Sequence, residues 1–296
     1  MRRSADGLRA AVVTCSQVRK LDSDGEAVMD ALRSVGLSPE AVVWDEPGVD
    51  WAGFRVVLLR STWDYPERFE EFLSWARRVD RVTRLLNSFP VVRWNADKRY
   101  LSDLESEGLP VVPTRFISPG TPPALPASLD EYVVKPAISA GSRNTARYGI
   151  GDEEAALAHV ERLLHEGRTV MVQPYLGKVD SEGESALVYL DGRYRHAARK
   201  GPILERGSGL IEGLFAPEKI TPKVPSREER EVADRVISSV RERFGPPAYA
   251  RVDFVPGPEG APLLLELELI EPSLFFEAAD GDAGPLAARV AADAVW

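Results

Sequence analysis

Between Ala250 and Pro272 the chain carries two apolar runs joined by a turn rich in proline and glycine, with acids set into both runs. The first run ends at Phe254 and Val255 and the second reaches Ile270, a spacing that predicts a β-hairpin. Asp253 lies in the first arm, Glu266 and Glu268 in the second. Side chains alternate along a strand, so Glu266 and Glu268 share one face while Leu265, Leu267 and Leu269 take the other. Like charges side by side on an apolar strand cost stability unless something positive neutralises them. Two arrangements meet that demand. One is an edge strand whose acidic face lies in water; the other is a divalent-cation site built from hard carboxylate oxygens. Arg251, two positions before Asp253, faces the same way. An arginine beside three acids and a cation suits a bound phosphate.

At 296 residues the chain is long enough for two or three domains. A hydrophobic content of 44% and a charged content of 28% are ordinary for a soluble globular protein. The net charge of −9 speaks against a nucleic-acid or membrane-surface binder. No apolar run approaches a membrane span and no signal-peptide core follows residues 1–4, so a cytoplasmic protein is expected. Cys15 is the only cysteine, which excludes an internal disulfide and makes a core position its simplest role. Three scattered histidines offer no zinc-ligand spacing. Only seven of the 37 basic residues are lysines, so a lysine in an apolar setting stands out.

Ahead of the hairpin, strands and helices alternate. Apolar runs at 10–14, 41–44 and 56–60 read as strands, with helical periodicity from Asp24 to Val35 and again from Phe69 to Val79. That order implies a small parallel-sheet domain. The loop after its third strand lies where such sheets hold ligands, which makes Arg60, Thr62, Trp63 and Asp64 candidates for substrate contact. A buried tryptophan beside a capping aspartate is the competing reading. Asn95 reads as the N-cap of a helix running through Leu101 and Leu104 to Gly108, with Lys98 in its first turn. A cation there opposes the helix dipole, unless lysine and helix end both face an anion. A solvated surface lysine is the alternative.

An apolar strand at 132–134 then delivers Lys135 to a small loop containing Ser139, Gly141 and Ser142, whose backbone amides suit phosphates. Neither GxxxxGK[ST] nor a usable GxGxxG occurs. Residues 113–126 carry five prolines and read as a rigid surface connection. A helix at 152–165 precedes a strand that runs from Thr169 into Pro174, followed by a strand with Glu184 at its start and a turn at Gly192. Lys200 lies on the return, before a glycine-rich segment at 205–209 that reads as a mobile loop. Ser226 and Glu229 form a capping box for a helix closed by Gly245.

Two lysines, a small loop, a proline-broken apolar segment and then Asp…Glu-x-Glu, in that order from Lys98 to Glu268, resemble the ATP-grasp superfamily. The resemblance implies an α/β fold, α+β in its C-terminal part. It places a small N-terminal parallel-sheet domain at 1–92, a central lobe at 93–174 and a C-terminal lobe at 175–296, with the two lobes clasping ATP. It further implies that Lys98 and Lys135 hold the phosphates of ATP under the loop of Ser139, Gly141 and Ser142. Gln173, Tyr175 and Leu176 would meet adenine, Glu184 the ribose. Asp253, Glu266 and Glu268 would ligate Mg²⁺, with Mn²⁺ as the alternative ion. Many relatives carry Asn where this chain has Glu268, so the site here holds one more negative charge. Arg251 and Lys200 take the catalytic role of offsetting charge.

A narrower likeness rests on Arg60-Ser61-Thr62-Trp63-Asp64-Tyr65, Arg93-Trp94-Asn95-Ala96-Asp97-Lys98-Arg99-Tyr100 and Glu266-Leu267-Glu268-Leu269-Ile270-Glu271-Pro272. These stretches resemble the group that contains the D-cycloserine synthetases of antibiotic pathways, which are O-ureido-D-serine cyclo-ligases. The function implied is an ATP-dependent carboxylate–amine ligase acting through an acyl phosphate on a small amino-acid-like substrate. Glu271, Ser273 and the loop from Arg60 to Asp64 are the implied substrate contacts. Phosphotransfer to a hydroxyl, peptide formation and a nucleotide-binding regulator without turnover are the rival functions. Neither a nucleic acid nor a membrane is expected as partner, and a homodimer is left open.

Overall fold

Three sheets carry the chain in the computed structural model, which describes residues 7–126, 129–204, 206–207, 209–210, 213–214 and 218–295. The first sheet is parallel. β1 (Leu8–Thr14), α1 (Gly25–Ser34), β2 (Leu37–Val43), β3 (Val56–Ser61), α2 (Phe69–Val82) and β4 (Arg84–Leu86) build it in the order β2-β1-β3-β4. Two helices follow, α3 (Phe89–Asn95) and α4 (Tyr100–Ser106). The second sheet is antiparallel and is made by β5 (Arg115–Ile117), β6 (Glu131–Pro136), β7 (Ala146–Gly149) and, after α5 (Glu153–His165), β8 (Val170–Pro174), in the order β5-β8-β6-β7. The short α6 (Val179–Glu182) leads to the third, also antiparallel. Its strands are β9 (Glu184–Leu190), β10 (Arg193–Lys200), β11 (Ile220–Pro222) and, after α7 (Arg227–Phe244), β12 (Tyr249–Pro256) and β13 (Pro262–Glu268), in the order β11-β10-β9-β12-β13. α8 (Gly284–Ala294) comes last.

Local chemistry accounts for most of these elements. β3 is buried along its whole length, as the continuous apolar run at 56–59 requires of a central parallel strand. α2 buries Phe72, Trp75, Ala76 and Val79 at helical spacing against Trp44 and Tyr65, with Phe72 stacked on Tyr65 at 5.0 Å. Cys15 is fully buried in the same cluster. Ser226 and Glu229 make the expected capping box: the Ser226 hydroxyl accepts from the Glu229 amide at 3.0 Å, and the Glu229 carboxylate from the Ser226 amide at 2.6 Å.

Other elements depart from the sequence reading. Residues 113–126 are not merely a connection, because β5 within them pairs with β8. Glu205 and Ser208 of the glycine-rich segment, like residues 1–4, lie outside the described residues. α3 and α4 contribute Val91, Tyr100, Leu101 and Leu104 to the core of the third sheet, and α8 sends Leu286, Ala287, Val290 and Ala294 back to the first sheet and α1. The chain thus crosses between lobes twice. An apolar stripe says that a helix is covered, not by what.

The hairpin forms as expected, with Asp253 opposite Glu266 and Arg251 opposite Glu268. A bulge between Asp253 and Phe254 breaks the alternation. Leu265 therefore leaves the face of Leu267 and Leu269 and packs with Val112, Val179 and Val255. β13 is an edge strand, yet its outer backbone groups are covered. The backbone at 110–112 pairs with Leu264. Tyr100 bonds both the amide and the carbonyl of Leu267, at 2.8 and 2.9 Å. Asn95 donates to the Leu267 carbonyl at 2.7 Å and accepts from the Leu269 amide at 2.8 Å. Asn95 closes α3 and does not cap the helix beyond it; its amide stitches the edge. These bonds hold the strand that carries Glu266 and Glu268 in place.

Candidate active site

A cavity of about 650 Å³ lies where the second and third sheets meet the first domain. Lys98 enters it from the turn between α3 and α4, where its amide is tied to the Ala137 carbonyl at 3.0 Å. Its ammonium group donates to the Ser139 carbonyl at 2.7 Å and hydroxyl at 3.0 Å, and pairs with Glu266 at 3.0 Å. Lys135 comes from the end of β6 and is buried; burial outweighs the attraction of Glu266 and pulls its pKa down to about 8. Both lysines line one end of the cavity together with Ser139, Gly141 and Ser142. Gly141 and Ser142 both have φ of +61°, so the loop turns back sharply and the glycine takes its half of that turn without strain.

The acids lie beyond the lysines. Burial pushes Glu266 up, but Lys98 and Lys135 override it and hold its carboxyl below the usual range. Glu268 has less help: burial, with Glu266 and Asp253 nearby, outweighs Arg251 and brings its pKa up to about 7. Asp253 sits beneath them, only 1% exposed. Arg251 grips it at 2.8 Å through both Nε and Nη2, and Lys200 reaches it at 3.1 Å. Arg251 also pairs with Glu268 and donates to the Ser273 carbonyl at 3.0 Å. Lys200 is shared further with Glu184, at 2.9 Å. Among the described residues no three acids, histidines or cysteines stand together closely enough to enclose an ion. Glu266 and Glu268 nevertheless line the cavity with hard oxygens, and one of them lacks full compensation. That donor chemistry fits Mg²⁺ or Mn²⁺.

The segment after β8 lines the cavity with apolar side chains. Leu176, Val255 and Leu265 line it, the last brought there by the bulge. Gln173 is fixed by donating to the Thr114 hydroxyl at 2.8 Å. Tyr175 is held between the Arg147 guanidinium, 3.5 Å from its ring centre, and Asp180, which accepts from its hydroxyl at 2.5 Å. Glu184 lines the cavity beside Lys200, and burial raises its pKa.

The loop after β3 behaves differently from the expectation. Arg60 is 1% exposed and does not reach the cavity; it donates to the Pro272 carbonyl at 2.8 Å. Thr62 is fully buried, and Asp64 accepts from the Trp44 indole at 2.9 Å, away from the cavity. Only Trp63 lines the wall, with its indole donating to the Glu271 carbonyl at 3.0 Å. Arg60 and Trp63 thus fix the backbone at 271–272, Asp64 is held by Trp44, and three of the four predicted contacts do not line the cavity. The end of β3 is covered by that segment and by Trp44, so the Arg60 and Asp64 side chains find partners in the protein. Glu271 and Ser273 do face the cavity, and burial raises the Glu271 carboxyl well above its usual range. Leu21, Asp22, Ser23 and Phe275 complete this end, and none was foreseen. Leu21 and Phe275 have φ of +67° and +55°, a backbone property that side-chain periodicity does not encode.

A family model described as the D-cycloserine synthetase DcsG N-terminal domain matches residues 10–87. The cycloserine biosynthesis protein DcsG of Streptomyces lavendulae is 39% identical over 277 residues, which span 89% of this chain and 91% of that protein. The crystal structure of a D-cycloserine synthetase DcsG superposes with a TM-score of 0.90 at 36% identity, covering 97% of this chain and 99% of the other. A D-alanine–D-alanine ligase from Bacillus anthracis, solved with ATP, shares the fold with a TM-score of 0.68 at 16% identity and 97% coverage of both chains. Among the described residues no helix is long and apolar enough to cross a membrane.

Proposed function

The chain belongs to the family of the cycloserine biosynthesis protein DcsG and is an ATP-grasp ligase; from that premise we propose that it closes a ring in O-ureido-serine or a close analogue. The observation that carries this reading is the cavity itself. It is lined by lysines and a small loop at one end and by Trp63, Phe275 and Leu21 at the other. The first end suits the phosphates of ATP, the second a small molecule and not a folded peptide.

A carboxylate is a poor electrophile. Transfer of the γ-phosphoryl group of ATP to it gives an acyl phosphate and ADP, and a nitrogen of the substrate then displaces phosphate. Lys98, held by Ser139, and Lys135 bind the phosphates and offset their charge. Arg251, anchored on Asp253 and on the Ser273 carbonyl, lines the cavity and would offset charge on the phosphoryl group as it moves. Gln173, Tyr175 and Leu176 hold adenine, and Glu184 the ribose. Glu266 and Glu268 would hold Mg²⁺, and Asp253 would join them on release of Lys200 or Arg251. The chemistry supplied by such an ion is neutralisation of phosphate oxygens. Glu271, whose carboxyl burial raises well above its usual range, lines the cavity near Glu266 and Glu268 and is placed to meet the substrate. With nucleophile and electrophile in one molecule, confinement supplies much of the rate.

The test is ADP release with O-ureido-serine, together with mass analysis of the product. Stimulated ADP release with formation of the cyclised product supports the reading. ADP release stimulated only by hydroxyl-bearing acceptors that leave phosphorylated contradicts it.

A further inference from the structure

The turn at residues 21–23 lines the cavity, and the reaction scheme leaves it without a role. Leu21 lies in the left-handed region, at φ of +67°, a conformation that costs energy for an apolar side chain and persists only where surroundings impose it. Gly25 completes the enforcement, since a Cβ there would lie 2.5 Å from the Leu21 Cβ. The turn holds the next residue, Asp22, on the cavity wall with its side chain 4% exposed.

Charge is unbalanced at this point. Among the described residues the two acids share one guanidinium: Arg60 lies 3.4 Å from Asp22 and 3.6 Å from Asp24. Asp24 is fully engaged: it accepts from the amides of Leu274, Phe275 and Phe276 at 2.6, 2.9 and 2.8 Å. Asp22 is not. Its Oδ1 is buried and has no hydrogen-bond partner among the described residues. Burial pushes its carboxyl up despite Arg60. Among the described residues no lysine forms an ion pair with Asp22: Lys98 is bound to Ser139 and Glu266, and Lys200 to Glu184 and Asp253. Asp22 therefore brings a carboxyl with one unpartnered oxygen to the cavity wall that Trp63, Phe275 and Leu21 also line. A desolvated acid of this kind fits a compact cation with N–H donors.

We propose that Asp22 is the specificity-determining residue for the substrate, accepting a hydrogen bond from the α-ammonium group of an amino-acid derivative. The inference rests on the ligase reading of the same cavity. It assigns ammonium recognition to Asp22 and leaves Asp64 a structural role. A substrate lacking the amino group leaves the buried acid without its partner, and discrimination follows from that cost.

The experiment compares O-ureido-serine with its desamino analogue, 3-(ureidooxy)propanoate, in ADP-release kinetics of the full chain. In the parent, kcat/KM favours the amino substrate by about 10²-fold or more. Asp22→Asn reduces that ratio to a few-fold by losing activity on the amino substrate alone, while ATP affinity by calorimetry stays near the parent value and reports an intact fold. A parent that treats the two substrates alike overturns the proposal without recourse to any variant. So does a variant that loses equally on both, which is the signature of a structural role. A parent inert towards both, and towards a wider set of amino acids, contradicts the ligase reading itself and removes the premise.

Discussion

The loop after β3 and the β12–β13 hairpin are alike in sequence, each setting charged side chains at the end of an apolar strand, yet the protein uses them in opposite ways. Arg60 and Asp64 are buried with protein partners, the Pro272 carbonyl and the Trp44 indole. Glu266 and Glu268 line the cavity, and Glu268 stays incompletely compensated, with a pKa of about 7. What separates the two is the supply of partners. Arg60 meets the backbone of residue 272 and Asp64 meets Trp44, whereas burial at the hairpin outweighs the neighbouring base at Glu268. A charged residue held for structure has its count closed within the chain; one held for a ligand has it left open.

Substitution on the hairpin has the largest expected effect. Glu266→Gln lowers turnover by about 10³-fold or more, since electrostatic terms dominate phosphoryl transfer, and leaves the melting temperature close to the parent value. Steady-state ADP release checks the first statement and a thermal melt the second. An unchanged turnover number breaks the comparison on the hairpin side.

On the other side, Arg60→Met leaves Asp22 and Asp24 without their guanidinium. It costs about 3–5 kcal/mol of stability in a denaturant titration, as removal of one partner from a buried ion pair does. Wild-type stability in this variant would return Arg60 to the surface of the argument as a ligand contact.

A smaller effect separates the phosphate end by pH. Lys135 titrates at about 8 because burial disfavours its charged form. Bound phosphate favours that form and moves the pKa back towards its ordinary value. ATP binding therefore takes up a proton above pH 8, and affinity falls as pH rises through 8 and beyond. Calorimetry in buffers of different ionisation enthalpy reads this uptake, and Lys135→Met abolishes it. Equal uptake in parent and variant assigns the proton elsewhere.

The smallest effect belongs to Asp64→Asn. The amide oxygen can still accept from the Trp44 indole, so KM for the amino-acid substrate stays within about twofold of the parent, far below the 10²-fold cost of losing a buried ionic contact. A large rise in KM would place Asp64 in the cavity after all.

The parts of the site legible in the sequence were those where residue type and strand alternation suffice. Lys135 at the end of an apolar strand, Lys98 ahead of α4 and the two glutamates of β13 all face the cavity. The hairpin itself was equally plain, though the bulge that moves Leu265 was not, since it adds a residue without changing the apolar pattern. α8 went unread although Pro285 at its start and Leu286, Val290 and Ala294 at helical spacing announce it. Arg60 and Asp64 were misplaced because an arginine looks the same in sequence whether its partner is a substrate or the Pro272 carbonyl. Asp22 and Asn95 depend on contacts across more than 170 residues or on a left-handed turn, and local periodicity carries neither.

The most direct measurement of the central claim is a hydroxylamine trap with the parent protein, ATP, Mg²⁺ and O-ureido-serine. A ligase that activates the carboxylate at this cavity yields the hydroxamate together with ADP, and Glu266→Gln yields neither. ADP release with no hydroxamate at saturating hydroxylamine, and a phosphorylated hydroxyl product in its place, would contradict the account.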